Sequence, residues 1–357
     1  MTAKDWPDRR ILDLFGIDLP IVQAPMAGAS TPEMALEVCK AGGLGSLPCA
    51  QYSMEQAREA LAFVRAGTGG PVNLNFFCHT PPEPDPAAQM AWRARLAPYY
   101  VERGLDPAPP PPAGGRAPFD EGFCRLVEET RPEVVSFHFG LPAPSLLERV
   151  KQAGAVVISS ATTVAEARWL QAHGADAVIA MGFEAGGHRG CFLTHDMSTQ
   201  PGTFALVPQI ADAVEVPVIA AGGIADARGV AAAFVLGASA VQVGTAYLFC
   251  PEAQIPASHR RALDEVDDQN TQASNVFTGR PARGVVNRLM REVGPLSPLA
   301  PAFPTAVGAL APLRAQDAEV GDFTSHWAGQ AARLAPRLPA GELTRTLAEG
   351  ALARLRR

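Results

Sequence analysis

Short apolar runs alternate along this chain with longer amphipathic stretches. Pro20 to Met26 is the first apolar run, and Gly28 to Pro32 follow as a turn. Thr31 is placed to cap a helix with Pro32 at its first position, running to Ala41. Gly42-Gly43 ends that helix, and Leu44 to Leu47 reads as a second strand. A helix capped by Ser53 runs to about Ala66, and Gly69-Gly70-Pro71 breaks it before the third strand, Val72 to Phe76. From Phe119 the rhythm repeats. Helices are expected over Phe119–Thr130 and Pro144–Ala153, from a cap at Thr162 or Thr163 to His173, and over Phe204–Ala213 and Ala227–Leu236. Strands are expected at Val134–His138, Val156–Ser159, Ala177–Ala180, Val218–Ala220 and Ser239–Val243. The phrase Gly-Ala-x-Ala-Val recurs at Gly174 and Gly237, a weak echo of two βα units.

Runs of apolar strand separated by helix are the pattern of parallel βαβ units. Eight such strands close most economically into a TIM (β/α)8 barrel, the expected α/β fold class. A doubly wound open sheet is the alternative, weakened because no G-x-G-x-x-G opens a helix after the first strand. The rhythm breaks between Phe77 and Pro118, where eleven prolines fall. That stretch reads as a proline-rich insertion after strand 3, with a helix inside it near Ala87–Arg103, or as a solvated loop. Beyond Phe249 the pattern loosens. The expected organisation is a barrel over 1–249 with its insertion near 77–118, and a small C-terminal cap region over 250–357. A last helix, from about Ser325 to Leu334, is expected to close on the barrel.

At 357 residues, with 47% hydrophobic and 18% charged residues, the chain can bury a large single core. A net charge of −6 argues against nucleic acid as the partner. The six cysteines are scattered without a C-x-x-C pair and suit reduced thiols. The polar N-terminus shows no signal peptide, and no apolar run approaches the roughly 20 residues of a membrane span. The expectation is a cytoplasmic protein without a membrane partner.

In a barrel the site lies at the C-terminal strand ends. The densest chemistry there follows Ala177–Ala180. Gly182-Phe183-Glu184-Ala185-Gly186-Gly187-His188-Arg189-Gly190 packs four glycines, an imidazole and a guanidinium into one loop. Glycine lets the backbone take positive φ and lie against a ligand. Gly222-Gly223 before a helix, and Gly244-Thr245 after the last strand, stand where barrels bind phosphate through backbone amides. His188 is the foremost candidate for chemistry. His138 suits chemistry or a structural hydrogen bond equally well. His79 and His195 read as surface residues, Met26 as ring wall or core, and Glu184 as an ion-pair partner for Arg189. Metal chemistry is disfavoured, because there is no H-x-H or H-E-x-x-H. Schiff-base chemistry needs a desolvated lysine, and none of the three lysines (Lys4, Lys40, Lys151) lies at a strand end. No G-x-S-x-G elbow marks a serine hydrolase.

Taken together, Gln23-Ala24-Pro25-Met26-Ala27-Gly28, Asn73, Ser136-Phe137-His138-Phe139-Gly140, the glycine loop Gly182–Gly190, Ala220-Ala221-Gly222-Gly223-Ile224 and Gln242-Val243-Gly244-Thr245 resemble the nitronate monooxygenase (2-nitropropane dioxygenase) family. The resemblance spans roughly Pro20 to Arg288. It implies an FMN-dependent barrel that oxidises alkyl nitronates with O₂ to a carbonyl compound and nitrite. It implies that Ala24, Pro25, Met26 and Asn73 contact the flavin ring, and that Gly186, Gly222, Gly223, Gln242, Gly244 and Thr245 hold ring or phosphate. His188 would face the substrate and His138 would stand beside the nitro group. Met181 departs from the family, which usually carries a polar residue, often Gln, at that flavin edge. The expected partners are a small-molecule nitronate and O₂, with a second copy of the chain as a homodimer. The alternatives are an FMN-type enoyl-acyl-carrier-protein reductase using NAD(P)H, which shares the Glu-Ala-Gly-Gly-His loop, and a flavin-binding barrel without turnover.

Overall fold

The computed structural model describes residues 6–106 and 117–356. Its strands are β1 (Ile21–Gln23), β2 (Gly45–Leu47), β3 (Val72–Phe77), β4 (Val134–His138), β5 (Val156–Ala161), β6 (Ala177–Met181), β7 (Gly187–His188), β8 (Val218–Ala221), β9 (Ala240–Val243), β10 (Thr271–Ser274) and β11 (Ala282–Val285). Eight of them form one parallel sheet in the order β1-β9-β8-β6-β5-β4-β3-β2. A parallel bridge from Val22 to Leu44 joins the two ends of that order. The bridge is carried by hydrogen bonds of 2.9 Å from Gln23 N to Leu44 O and from Leu44 N to Ile21 O. The expected TIM barrel is therefore the fold.

The surrounding helices are α1 (Arg10–Phe15), α2 (Pro32–Lys40), α3 (Met54–Gly67), α4 (Pro86–Glu102), α5 (Glu121–Thr130), α6 (Pro144–Gln152), α7 (Val164–Ala172), α8 (Thr203–Ala211), α9 (Ala227–Val235), α10 (Ala257–Glu265), α11 (Arg288–Val293), α12 (Val307–Ala315) and α13 (Ala340–Leu355). Several starts follow from local sequence. Thr31 Oγ1 accepts from Met34 N at 3.1 Å, and Ser53 forms a reciprocal capping box with Gln56. Thr163 and Asp226 cap α7 and α9 in the same way.

Strand alternation separates two layers of the barrel. Along β3, Leu74 and Phe76 pack outward with Leu61, Val64, Leu126 and Val127 of α3 and α5. Asn73, Asn75 and Phe77 face the other way. The two asparagines find polar partners inside: Asn73 Nδ2 donates to Ser46 Oγ and Asn75 Nδ2 to Ser136 Oγ, each at 2.9 Å.

A second sheet of three antiparallel strands, in the order β10-β11-β7, stands at the barrel mouth. Here Ala282 pairs with His188 and Arg283 with Gly187. The helix expected inside the proline-rich stretch forms as α4. Its Trp92, Leu96 and Tyr100 pack on Ala306, Ala309, Leu310 and Leu313 of the α12 region. Trp92 Nε1 also donates to Ala306 O at 3.3 Å. Pro109 to Pro112 of the same stretch lie outside the described residues.

The last helix differs from expectation. Ser325–Leu334 is not a helix; only Ala332–Leu334 make a single 3-10 turn. Pro336 and Pro339 interrupt the backbone there, and α13 starts immediately after Pro339. In α13, Leu343, Leu347 and Ala351 recur at four-residue spacing and join one core with Met34 and Val38 of α2 and Val230 and Phe234 of α9. The C-terminal helix thus fills the gap in the helical ring between α9 and α2. Leu347→Ala should lower the unfolding free energy by about 2–5 kcal/mol in chemical denaturation. Leu334→Ala, where the side chain is 51% exposed, should change it by less than about 0.5 kcal/mol. Equal effects would mean that α13 does not close the ring.

Candidate active site

A cavity of about 450 Å³ opens at the C-terminal ends of the barrel strands. It lies within the size range of small-molecule sites. Ala24, Pro25 and Met26 line it after β1, Met181 at the end of β6, and Gly186 and His188 from the glycine loop. His138, Gly222, Gly223, Gln242, Gly244 and Thr245 complete the predicted set around it. Asn73 stands apart from these: it is fully buried and does not line the cavity, whereas Asn75 does. Side chains two residues apart on a strand share a face but differ in depth by roughly 6.6 Å. The alternation was readable, but the depth was not.

The glycine loop is held from behind by Arg189. Its side chain is fully buried. Nη1 donates to Gly182 O at 2.5 Å and Nη2 to Met181 O at 2.8 Å. Nε and Nη2 both donate to Gln200 Oε1, at 3.2 and 2.8 Å. Burial brings its pKa down to about 10, so the group is still a cation at neutral pH. Phe183 lies between this guanidinium and that of Arg283, with centroid distances of 5.5 and 4.7 Å. Glu184 is not the ion-pair partner of Arg189. Its carboxylate accepts from Thr203 N and Thr203 Oγ1 at the start of α8, at 2.7 and 2.9 Å. A helix N-terminus offers unpaired N–H groups and a favourable dipole, which draws the carboxylate there. Gly186 is required by close approach, since a Cβ there would sit 2.6 Å from Gly329 N.

The two candidate histidines are differently bound. His138 Nδ1 lies 2.6 Å from Ser160 Oγ, and its Nε2 donates to the backbone carbonyl of His188 at 3.1 Å. Burial, reinforced by the nearby Arg280 charge, lowers its pKa to about 3 and keeps it neutral. With both nitrogens engaged, His138 ties β4 and β5 to the His188 backbone. His188 itself has Nε2 2.9 Å from Thr278 Oγ1. The rings of Phe303 and Trp327 stand 5.3 and 5.5 Å from its own, with Phe139 at 6.2 Å and Phe77 at 6.5 Å. His195 is exposed, as expected. His79 is not a surface residue: it is 5% exposed and packs 4.9 Å from Phe303. The aromatic cluster of Phe77, Phe139 and Phe303 folds over it.

Segments beyond β9 bring residues to the wall that strand pattern alone does not signal: His259, Arg314, Thr324 and Trp327. Asn75, by contrast, lies on an expected strand and Ser160 directly follows one, at the C-terminal strand ends where a site is expected. Among the described residues no helix is long and apolar enough to cross a membrane.

The geometry agrees with the comparisons to known proteins. A family model described as nitronate monooxygenase matches residues 8–350. A nitronate monooxygenase of Paraburkholderia phytofirmans is 43% identical over 344 residues, covering 95% of this chain and 94% of that protein. Among solved structures, a nitroalkane oxidase from Streptomyces ansochromogenes superposes with a TM-score of 0.85 at 40% identity, covering 97% of this chain and 99% of the other. FabK from Thermotoga maritima superposes with a TM-score of 0.72 at 28% identity, covering 97% of each chain. The chain belongs to the nitronate monooxygenase family of oxidoreductases.

Proposed function

We propose that this chain binds FMN in the barrel-mouth cavity and oxidises alkyl nitronates with O₂, releasing a carbonyl compound and nitrite. The observation that carries the reading is an unpaired acceptor in the cavity wall. Gln242 Oε1 is buried and has no hydrogen-bond partner among the described residues. A buried amide oxygen without a partner is unfavourable by about 1–3 kcal/mol. A flavin ring N–H would satisfy it. Gly222 and Gly223 have φ of 103° and 70°, a backbone that side-chain-bearing residues rarely adopt. Together with Gly244 and Thr245 they would cradle the phosphate through main-chain N–H groups. Ala24, Pro25 and Met26 would line the ring, and Asn75 replaces Asn73 as the amide at cavity depth.

Bound FMN supplies the electron acceptor. The rest is done by the chain. A nitronate is an anion, and a His188 imidazolium can hold it as a hydrogen-bond donor, while the neutral imidazole can take the α-proton of a neutral nitroalkane as a base. Phe77 and Trp327 line the cavity beside His188 and exclude water there. Arg189 holds the loop in place.

In an anaerobic titration, the purified protein should be yellow, and propionate 3-nitronate should reduce its flavin where NADH does not. Bleaching by NADH alone would favour the reductase alternative. A colourless protein that takes up no FMN would sink both. His188→Ala should lower nitronate turnover by about a hundredfold or more with the bound flavin spectrum retained; full activity would remove His188 from the mechanism. Met181→Gln should leave the fold intact and shift the flavin spectrum or the kinetics. If neither moves, position 181 does not meet the ring.

A further inference from the structure

The ring of His188 is oriented by a residue from the cap. Thr278 is 5% exposed and lies in the connection between β10 and β11. The hairpin fixes its place: β11 pairs with β7 at Ala282 and His188, and Gly279 N donates to Asn275 O at 2.8 Å. Thr278 Oγ1 therefore stands directly opposite His188 Nε2, 2.9 Å away.

A threonine hydroxyl has one proton and two lone pairs. Oγ1 of Thr278 is also 3.3 Å from the carbonyl oxygen of Arg280, and a carbonyl can only accept. Thr278 can give its one proton to that carbonyl; it then meets the imidazole with a lone pair, and Nε2 is the ring nitrogen that carries hydrogen. His138 obeys the same constraint next door, since its Nε2 faces the His188 carbonyl. In a neutral imidazole the hydrogen bond made by one nitrogen sets the proton's place and so the chemistry of the other.

We propose that Thr278 is a positioning residue that holds His188 as the Nε2–H tautomer and makes Nδ1 its basic atom. This rests on the reading of His188 as the group that meets the substrate. The consequence concerns neutral nitroalkanes. The Nδ1 lone pair takes the α-proton, and the electron pair of the broken C–H bond moves onto the nitro group. The products are an imidazolium and a nitronate. Nε2–H keeps its bond to Thr278 throughout, so no ring flip is needed between the two charge states. A nitronate supplied as the anion has no α-proton to lose at this step and depends less on which nitrogen is bare.

The test reads the tautomer directly. A long-range ¹H–¹⁵N spectrum of histidine-labelled holoprotein gives the His188 pattern, assigned by its loss in His188→Ala. Wild type and Thr278→Ser should show the Nε2–H pattern, and Thr278→Val a mixture of tautomers. In kinetics, Thr278→Val should reduce kcat/KM for nitroethane about tenfold more than for ethylnitronate, the loss of roughly one hydrogen bond's worth of bias, and Thr278→Ser should restore the ratio. An Nδ1–H pattern in the wild type would overturn the proposal, as would a Thr278→Val protein with an unchanged tautomer or with equal losses on both substrates. If Thr278→Val does not fold, the wild-type and Thr278→Ser spectra still decide. A wild type with the Nε2–H pattern but no turnover of either substrate would defeat the proposed function while the tautomer assignment stands.

Discussion

The buried guanidinium of Arg189 is the interaction on which the rest of the site depends. It is a full charge with no solvent contact and, among the described residues, no direct carboxylate partner. Its donors instead take the carbonyls of Met181 and Gly182 and the amide oxygen of Gln200. Met181 ends β6 and Arg189 follows β7, so these bonds close the intervening loop into a ring. Gln200 Nε2 donates in turn to Thr162 Oγ1, and Thr162 to the buried carboxylate of Glu166. The same carboxylate accepts from Phe192 N and Leu193 N, beyond the loop. The cation and the anion thus stand at opposite ends of one chain of hydrogen bonds with every donor pointing the same way, an arrangement that strengthens each link. Breaking such a buried charge network by removing one partner typically costs about 3–5 kcal/mol. The loop that presents His188 is therefore part of the core.

The barrel supplies the other half of the constraint. Parallel strands flanked by helices bury both faces, so polar side chains pointing inward must find one another. Gln23, Ser46, Asn73, Asn75 and Ser136 do so around the barrel interior. Among the described residues, Oε1 of Gln242 at the cavity wall and Oδ1 of Asn73 beneath it are the two side-chain oxygens of this layer left without a partner.

Over this floor, barrel strand ends and segments from beyond β9 meet around the histidines. Phe77, Phe139 and Phe303 form a small apolar cluster beside the histidines. Phe139 sits at a φ of 72°, a conformation that residues with side chains rarely take, and Arg280 stacks on its ring at 3.8 Å. Desolvation by burial keeps His138 neutral, so hydrogen-bond geometry decides what its imidazole does.

Much of this was legible before any coordinates. Strands and ring helices follow from period-2 and period-3.6 patterns and from caps such as Thr31, Ser53 and Thr163, all short-range signals. The clustering of Gly186, His188, Gly222, Gly223, Gln242 and Gly244 at one end of the barrel follows from topology, because parallel strands put all their C-terminal ends on one side. What the sequence could not carry is contact between distant segments and depth along a strand. Asn73 and Asn75 look alike in sequence, yet only one reaches the cavity. His79 lies in a polar, proline-rich stretch, and Phe303, more than two hundred residues away, buries it. Glu184 and Arg189 are close in the chain and opposite in charge, but a helix N-terminus and a pair of carbonyls claim them separately. Thr278 reaches His188 through the pairing of β11 with β7. Local sequence determined the barrel and where its chemistry would gather. Tertiary packing alone decided which atoms of those residues face the cavity, because that depends on long-range register and on which partner satisfies each buried polar group.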